Sequence, residues 1–291
     1  MTEPEGRPNG IAVIDKAAGM TSHDVVDRAR RVLGERKVGH SGTLDPDATG
    51  ILLLGVGPST RLLRFLTDLP KTYTAAFVFG TETTTLDASG DVTATHEMTL
   101  TPEQVAEAAA TFVGEIEQIP PMVSAVRVDG KRLHELAREG KEVERKPRRV
   151  TVYRYTVAPT DDPLVYRAEV ECSSGTYIRT LAADLGTALG GGAHLTDLRR
   201  TRIGSFGEAE AHPMDEPVLL TPKEGLRDYP QTTVDDDVAF LVSNGRVLDP
   251  DQLGGVTGPG PWAVSDRAGT LLAVYERVSR HRAKPSLVLA N

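Results

Sequence analysis

The sequence predicts an α+β protein: a mixed, largely antiparallel sheet with flanking helices, followed by a small, mostly β C-terminal domain. Three observations carry this. Strand-like runs outnumber helical ones and mostly follow one another, whereas a parallel sheet would alternate them with helices. Residues 149–158 and 164–172 alternate apolar and polar positions and are joined by Pro159-Thr160-Asp161-Asp162-Pro163, the pattern of a long antiparallel hairpin. Around residue 212 the texture changes: Pro213, Pro217 and Pro222 stand among acidic residues, and short β-like runs follow.

Taken in order, residues 1–9 are polar and read as a disordered tail. Ile11 to Asp15 is a short apolar strand. Ser22 caps a helix with Val25, Val26, Ala29, Val32 and Leu33 on one face, stopped by Gly34. A polar loop, 39–50, runs into Ile51 to Leu54, a buried strand, and Ser59 to Leu66 is a second amphipathic helix. Lys71-Thr72-Tyr73 opens an extended run to Phe79, and residues 80–97 form a Thr-rich polar excursion. Thr101-Pro102-Glu103-Gln104 is a helix start with a Thr cap, Pro in the first turn and Gln three residues on. Glu115 to Ile119 and Ser124 to Val128 are extended, with a turn at Asp129-Gly130 and a short basic helix around Leu133, Leu136 and Ala137. After the hairpin, Thr176 to Leu189 is helical, Gly190-Gly191-Gly192 breaks it, and His194 to Ile203 returns as strand. Residues 10–212 form the main domain, 213–231 a linker, and 232–291 the small domain, with a helix at Val238 to Asn244 and three short strands.

Composition narrows the classes of function. A chain of 291 residues with 39% hydrophobic and 25% charged residues is that of a soluble globular protein. No apolar run approaches the roughly 18 residues of a membrane span, and the polar start has no signal-peptide core, so a cytoplasmic protein is expected. Cys172 is the only cysteine, which excludes intrachain disulfides and thiolate zinc clusters. In the alternation of Val170-Glu171-Cys172 it reads as a small buried residue. The net charge of −8 argues against a nucleic-acid binder, but its distribution does not. Residues 127–149 hold nine Lys/Arg against five acids, and 28–37 and 199–202 add basic clusters, while 211–251 hold nine acids against three bases. A basic surface on an acidic molecule still binds a phosphate backbone; a solvated mixed-charge face reads equally well from the sequence alone.

The 39–50 loop carries three glycines, a proline, two carboxylates, a histidine and three hydroxyls. Gly and Pro interrupt helix and strand alike, so this is a loop leaning on a buried strand, a way to hold a side chain at the edge of a cleft. Pro46 pushes Asp45 towards an extended conformation and narrows the directions its carboxylate can take. The same residues also suit an ordinary turn. They lack the ladder of a calcium loop and the Gly-Lys-Ser/Thr of a phosphate cradle.

Three separated patches read together go further: the Asp45 loop, Lys71-Thr72-Tyr73, and Cys172-Ser173-Ser174-Gly175-Thr176-Tyr177-Ile178-Arg179-Thr180. With residues 10–22 (GIAVIDKAAGMTS), Ser124-Ala125-Val126, Gly130-Lys131-Arg132-Leu133, Gly192-Ala193-His194 and Leu198-Arg199-Arg200, they resemble the bacterial tRNA pseudouridine synthase family called TruB. The resemblance covers roughly residues 10–205. It departs at Asp15-Lys16-Ala17-Ala18-Gly19, where the family usually has Pro after Lys, and at His134, where the family often has Tyr.

The resemblance implies a pseudouridine synthase fold with a PUA-like C-terminal module, and isomerisation of uridine 55 in the TΨC loop of tRNA. It implies no cofactor and no metal, the T arm and loop of tRNA as partner, no obligate protein partner, and a monomer. It makes Asp45 the catalytic aspartate, Arg179 the guanidinium that keeps it charged and oriented, and Tyr73 a further catalytic residue, stacked on the target uracil with a hydroxyl to serve proton removal from C5. Tyr177 and Leu198 would line the pocket and His40 would contact the flipped-out nucleotide. Candidate contacts to the RNA backbone are Lys16, Arg127, Lys131, Arg132, Arg148 and Arg149. A carboxylate suits the reaction whether it attacks C1′, attacks C6 or takes a sugar proton. Two rivals use the same residues differently: a tRNA-folding chaperone that needs the basic patches alone, and a glycosidase using Asp45 and Asp47.

Overall fold

The computed structural model describes residues 7–122, 127–128, 131–132 and 143–289 of the chain. The chain forms two compact units. One is made of Met1–Pro46, Gly50–Thr67 and Gly204–Asn291, the other of Asp47–Thr49 and Asp68–Ile203.

The first unit opens with β1 (Gly10–Lys16), α1 (Ser22–Leu33), β2 (Val38–His40) and β3 (Thr49–Val56), then a 3-10 turn at Gly57–Leu62 running into α2 (Leu63–Asp68). Strand β3 is flanked antiparallel by β1, in register from Gly10↔Val56 to Lys16↔Gly50, and by β2. Helix α1 packs Val25, Val26 and Ala29 onto Ala12, Ile14, Leu52 and Leu54. Its cap is Thr21, one residue earlier than the sequence reading. The Thr21 hydroxyl accepts the Asp24 N–H while the Asp24 carboxylate accepts the Thr21 N–H, a reciprocal capping box, and Gly34 ends the helix at φ 64°. Ser22 is freed for another task, described below.

The second unit holds β4 (Lys71–Phe79), the hairpin β5 (Thr81–Thr83) and β6 (Val92–Thr95), α3 (Pro102–Ala110) and β7 (Gly114–Gln118). Next come β8 (Arg127–Val128), β9 (Lys131–Arg132), β10 (Arg148–Pro159), β11 (Val165–Cys172), α4 (Ile178–Ala188) and β12 (Ala193–Ile203). Its sheet runs β12-β4-β11-β10-β7, antiparallel at every step. Alternation along the strands turns Phe77, Tyr155, Tyr166 and Ala168 to one face, where Val105 of α3 and Ile178, Leu181 and Leu185 of α4 close the core. The Thr101–Gln104 capping box forms as the sequence indicates. Strands β8 and β9 pair antiparallel. The expected extended residues 124–126, the turn at 129–130 and the basic helix around 133–137 lie outside the described residues.

The remainder of the first unit carries β13 (Phe206–Gly207), β14 (Leu219–Leu220), β15 (Gln231–Thr233), α5 (Asp236–Ser243), β16 (Trp262–Ser265), β17 (Leu271–Ser279) and β18 (Arg282–Val288). Residues 213–231, expected as a linker, are built into the unit. Strand β14 pairs with β1, Leu226 is buried, and the Tyr229 hydroxyl donates to the Phe65 carbonyl at 2.7 Å. Strands β15-β16-β17-β18 form a separate sheet around Trp262, Leu253, Val242 and Tyr275, parallel only between β15 and β16. Most of the expected tail, residues 1–6, lies outside the described residues; Asn9 is held by the Ser59 N–H and hydroxyl at 3.0 and 2.8 Å.

Candidate active site

The Asp45 loop is pinned from both sides within the first unit. Leu44, buried at its start, donates its N–H to the Ser22 hydroxyl at 2.9 Å, and that hydroxyl donates back to the Leu44 carbonyl at 3.3 Å. At its far side the Pro46 carbonyl accepts the Gly19 N–H at 3.0 Å and the Lys16 ammonium at 2.9 Å. Asp45 is a half-buried residue, and its two neighbours are fastened to the first residue of α1 and to the turn between β1 and α1. A short loop so tied cannot swing its carboxylate by backbone motion.

Lys16 requires a correction. It was expected on the RNA surface, but its side chain is fully buried, and its ammonium donates to the carbonyls of Ala17, Met20 and Pro46 at 2.9, 2.7 and 2.9 Å. A buried cation satisfied by carbonyls offers nothing to a phosphate. It staples the loop instead, where the family's usual proline is replaced by Ala17.

His40 ends β2, half-buried, with Nδ1 accepting the Gly42 N–H at 3.3 Å and its ring meeting that of His23 edge-on at 5.4 Å. The neighbouring basic stretch spends part of its charge internally: Arg30 pairs with Asp27 and Arg28 with Asp215, the latter contact raising the Arg28 pKa. Arg31, Arg36 and Lys37 are exposed.

The second unit gathers the remaining residues around its core. Tyr73, the third residue of β4, sits between Val170 of β11 and Arg200 of β12, and packs half-buried on the cluster that includes Ile178. Leu198 packs on the same cluster from a register shift between Thr196 and Arg199, where Asp197 takes φ 54°. Tyr177 is the N-cap of α4, and Arg179 follows in the first turn, 5% exposed. The Arg179 guanidinium donates from Nη1 to the Thr85 carbonyl at 3.0 Å and lies 3.5 Å from Asp87 Oδ2. Asp87 is in turn held by the hydroxyls of Thr85 and Ser89 through Oδ1, and the intervening Leu86 is at φ 62°. A non-glycine residue in the left-handed region stores strain that the surrounding bonds must hold.

Asp87 was missed by the sequence reading. Nothing in a Thr-rich excursion marks one aspartate above its neighbours, and its partner lies far along the chain. Arg148 and Arg149 are exposed on β10, with Arg149 Nε 3.7 Å from Glu117. Arg127, Lys131 and Arg132 belong to the β8–β9 pair; their side chains lie outside the described residues. Cys172 is buried, as the alternation indicated, and burial pushes its thiol up to about 11, so it stays protonated at neutral pH.

The fold is shared with chains of two solved assemblies. The chain matches a chain of a Cbf5–Nop10–Gar1 complex with a TM-score of 0.74 over 96% of this chain and 84% of that one, at 24% identity. It matches a chain of an H/ACA ribonucleoprotein bound to a substrate RNA with a TM-score of 0.73 over 99% and 92%, at 21% identity. Sequence takes the assignment further. Residues 30–178 match the N-terminal domain model of the TruB family of pseudouridylate synthases, and 179–220 match the C-terminal domain model of tRNA pseudouridylate synthase B. The tRNA pseudouridine synthase B of Mycobacterium sp. (strain KMS) is 46% identical over 281 residues, 93% of each chain, and that of Rhodococcus jostii (strain RHA1) is 45% identical over 290, covering 96% of this chain and 93% of its own. The chain belongs to the TruB family of pseudouridylate synthases, and is thus an isomerase.

Proposed function

We propose that the protein converts uridine 55 in the TΨC loop of tRNA to pseudouridine, with Asp45 as the catalytic carboxylate and Arg179 as its partner. The reaction breaks the N1–C1′ bond, turns the uracil and rejoins it through C5; the C5 proton leaves and N1 gains one. It consumes no redox equivalent and no group donor. The observation that carries the reading is the treatment of these two groups. Bonds hold both: the loop around Asp45 is tied to Ser22, Gly19 and Lys16, and the Arg179 guanidinium donates to the Thr85 carbonyl beside Asp87. Such preorganisation is what charge stabilisation in a water-poor site requires.

Tyr73 stacks on the extruded uracil, with its hydroxyl near C5, while Tyr177 and Leu198 line the pocket and His40 meets the flipped nucleotide. Exposed Arg148 and Arg149, with Arg127, Lys131 and Arg132, grip the phosphates of the T arm. The enzyme works as a monomer on tRNA alone and without a cofactor, in the cytoplasm. Among the described residues, no helix is long and apolar enough to cross a membrane.

The test uses tRNA carrying tritium at uridine C5, which the reaction must release. One equivalent per tRNA is expected from the wild type. Asp45→Asn should release none while binding tRNA as before. Full release by Asp45→Asn sinks the assignment, and binding without release by the wild type identifies a folding chaperone instead.

A further inference from the structure

Gln118, the last residue of β7, is 1% exposed, and its side-chain amide meets one backbone unit twice. The Tyr177 N–H donates to Oε1 at 2.9 Å, and Nε2 donates to the Tyr177 carbonyl at 3.2 Å. The pairing orients the amide by itself, because an N–H meets only the oxygen and a carbonyl only the NH₂.

Tyr177 is where α4 begins. A helix start leaves its first N–H groups without intrahelical partners, and they are usually met by a capping side chain from the same segment. Tyr177 has no such side chain and makes no side-chain cap bond. Its carbonyl accepts the first helical bond from Leu181 at 3.1 Å, and Gln118, 59 residues away in sequence, supplies the missing acceptor and a second donor. The start of α4 is thereby referenced to the edge strand of the sheet. Two residues on, Arg179 is referenced to Thr85 and Asp87. The same glutamine stands opposite Arg148 in the β7–β10 ladder, and Arg145 donates to the carbonyl of nearby Pro120 at 2.9 Å.

We propose that Gln118 is a positioning residue for pseudouridine formation: its amide sets where α4 starts, and so where Tyr177 and Arg179 stand against the uridine. This rests on the roles given above to Tyr177 and Arg179. Gln118 touches no reacting atom; it acts through the Tyr177 backbone.

The experiment is tritium release by Gln118→Glu and Gln118→Met across pH, with unfolding followed by calorimetry. The ionised Glu keeps the acceptor but turns a second oxygen onto the Tyr177 carbonyl. Burial raises a carboxyl, and the protonated acid regains the donor. Expected is a kcat about 10- to 100-fold below wild type at pH near 8, recovering relative to wild type as the pH falls to about 6, with KM for tRNA within about twofold. Gln118→Met, uncharged and of similar size, shows the loss of kcat without the recovery, and answers the question where the buried carboxylate prevents folding. Wild-type kcat in Gln118→Met overturns the inference, as does a Gln118→Glu ratio flat with pH, or a kcat loss no larger than the loss of folded protein. Arg179→Ala in the same assay separates the two levels. If it keeps wild-type kcat, the reading of the site falls; if it is inactive while both Gln118 variants match wild type, only the positioning role falls.

Discussion

Replacing Lys16 with methionine removes an ammonium that donates to three carbonyls at 2.7–2.9 Å and leaves a side chain of similar length in the same buried space. Hydrogen bonds to a charged group contribute roughly 1.5–3 kcal/mol each, and burying the ammonium costs several kcal/mol of that total. The Ala17 carbonyl, on an exposed residue, is free to turn to water, while the Pro46 carbonyl keeps the Gly19 N–H. A net loss of about 3 kcal/mol follows, or a fall in Tm of roughly 6–12 °C by calorimetry. The effect on chemistry is expected to be larger than stability alone implies, because Pro46 follows Asp45 directly. With Asp45 as the proposed catalytic carboxylate, a displacement of about 1 Å there lowers the rate about 100-fold. Single-turnover tritium release at 20 °C below the variant's Tm isolates this term. Lys16→Arg should not rescue it, since a planar guanidinium is larger and does not suit three carbonyls converging on one point. A Tm within 2 °C of wild type together with an unchanged single-turnover rate would refute the staple.

Other perturbations probe the second unit. Burial, with the Arg200 guanidinium beside it, lowers the Lys71 ammonium to about 8. The unfolded chain then binds more protons than the folded one between about pH 8 and 10.5, so stability rises with pH across that window. Wild type should gain about 3 kcal/mol on Lys71→Met between those limits and nothing below them, measured by urea unfolding; a constant difference refutes the shift. Gly186 of α4 is buried, and a Cβ there would collide with the backbone of Gly192 and Ala193. Gly186→Ala should therefore cost at least about 2 kcal/mol and lower kcat with it, because the helix that shifts carries Arg179; a wild-type Tm would show that the contact relaxes without strain.

The local elements were legible in the sequence because their causes are local. The Thr101–Gln104 box, the Gly34 stop, the alternation of the β10–β11 hairpin and the apolar run of β3 each depend on residues within a turn or a strand of one another. The order of the motifs around Asp45, Tyr73 and Arg179 was enough to indicate the family. The N-cap of α1 is Thr21 and not Ser22, because the fold sends the Ser22 hydroxyl inward to Leu44. Lys16 illustrates the larger limit. A lysine in a charged, glycine-bearing turn reads as surface; the turn folds the Ala17 and Met20 carbonyls back onto its ammonium and the Asp45 loop adds that of Pro46, which makes burial tolerable. The Asp87–Arg179 contact and the Gln118–Tyr177 amide clamp likewise join residues 92 and 59 positions apart. Spacing of that kind carries no period and no motif. The sequence by itself determined the elements and the chemistry available to them; the pairing of strands decided which side chains stand close enough to hold one another, because a hydrogen bond depends on ångströms in space that distance along the chain does not encode.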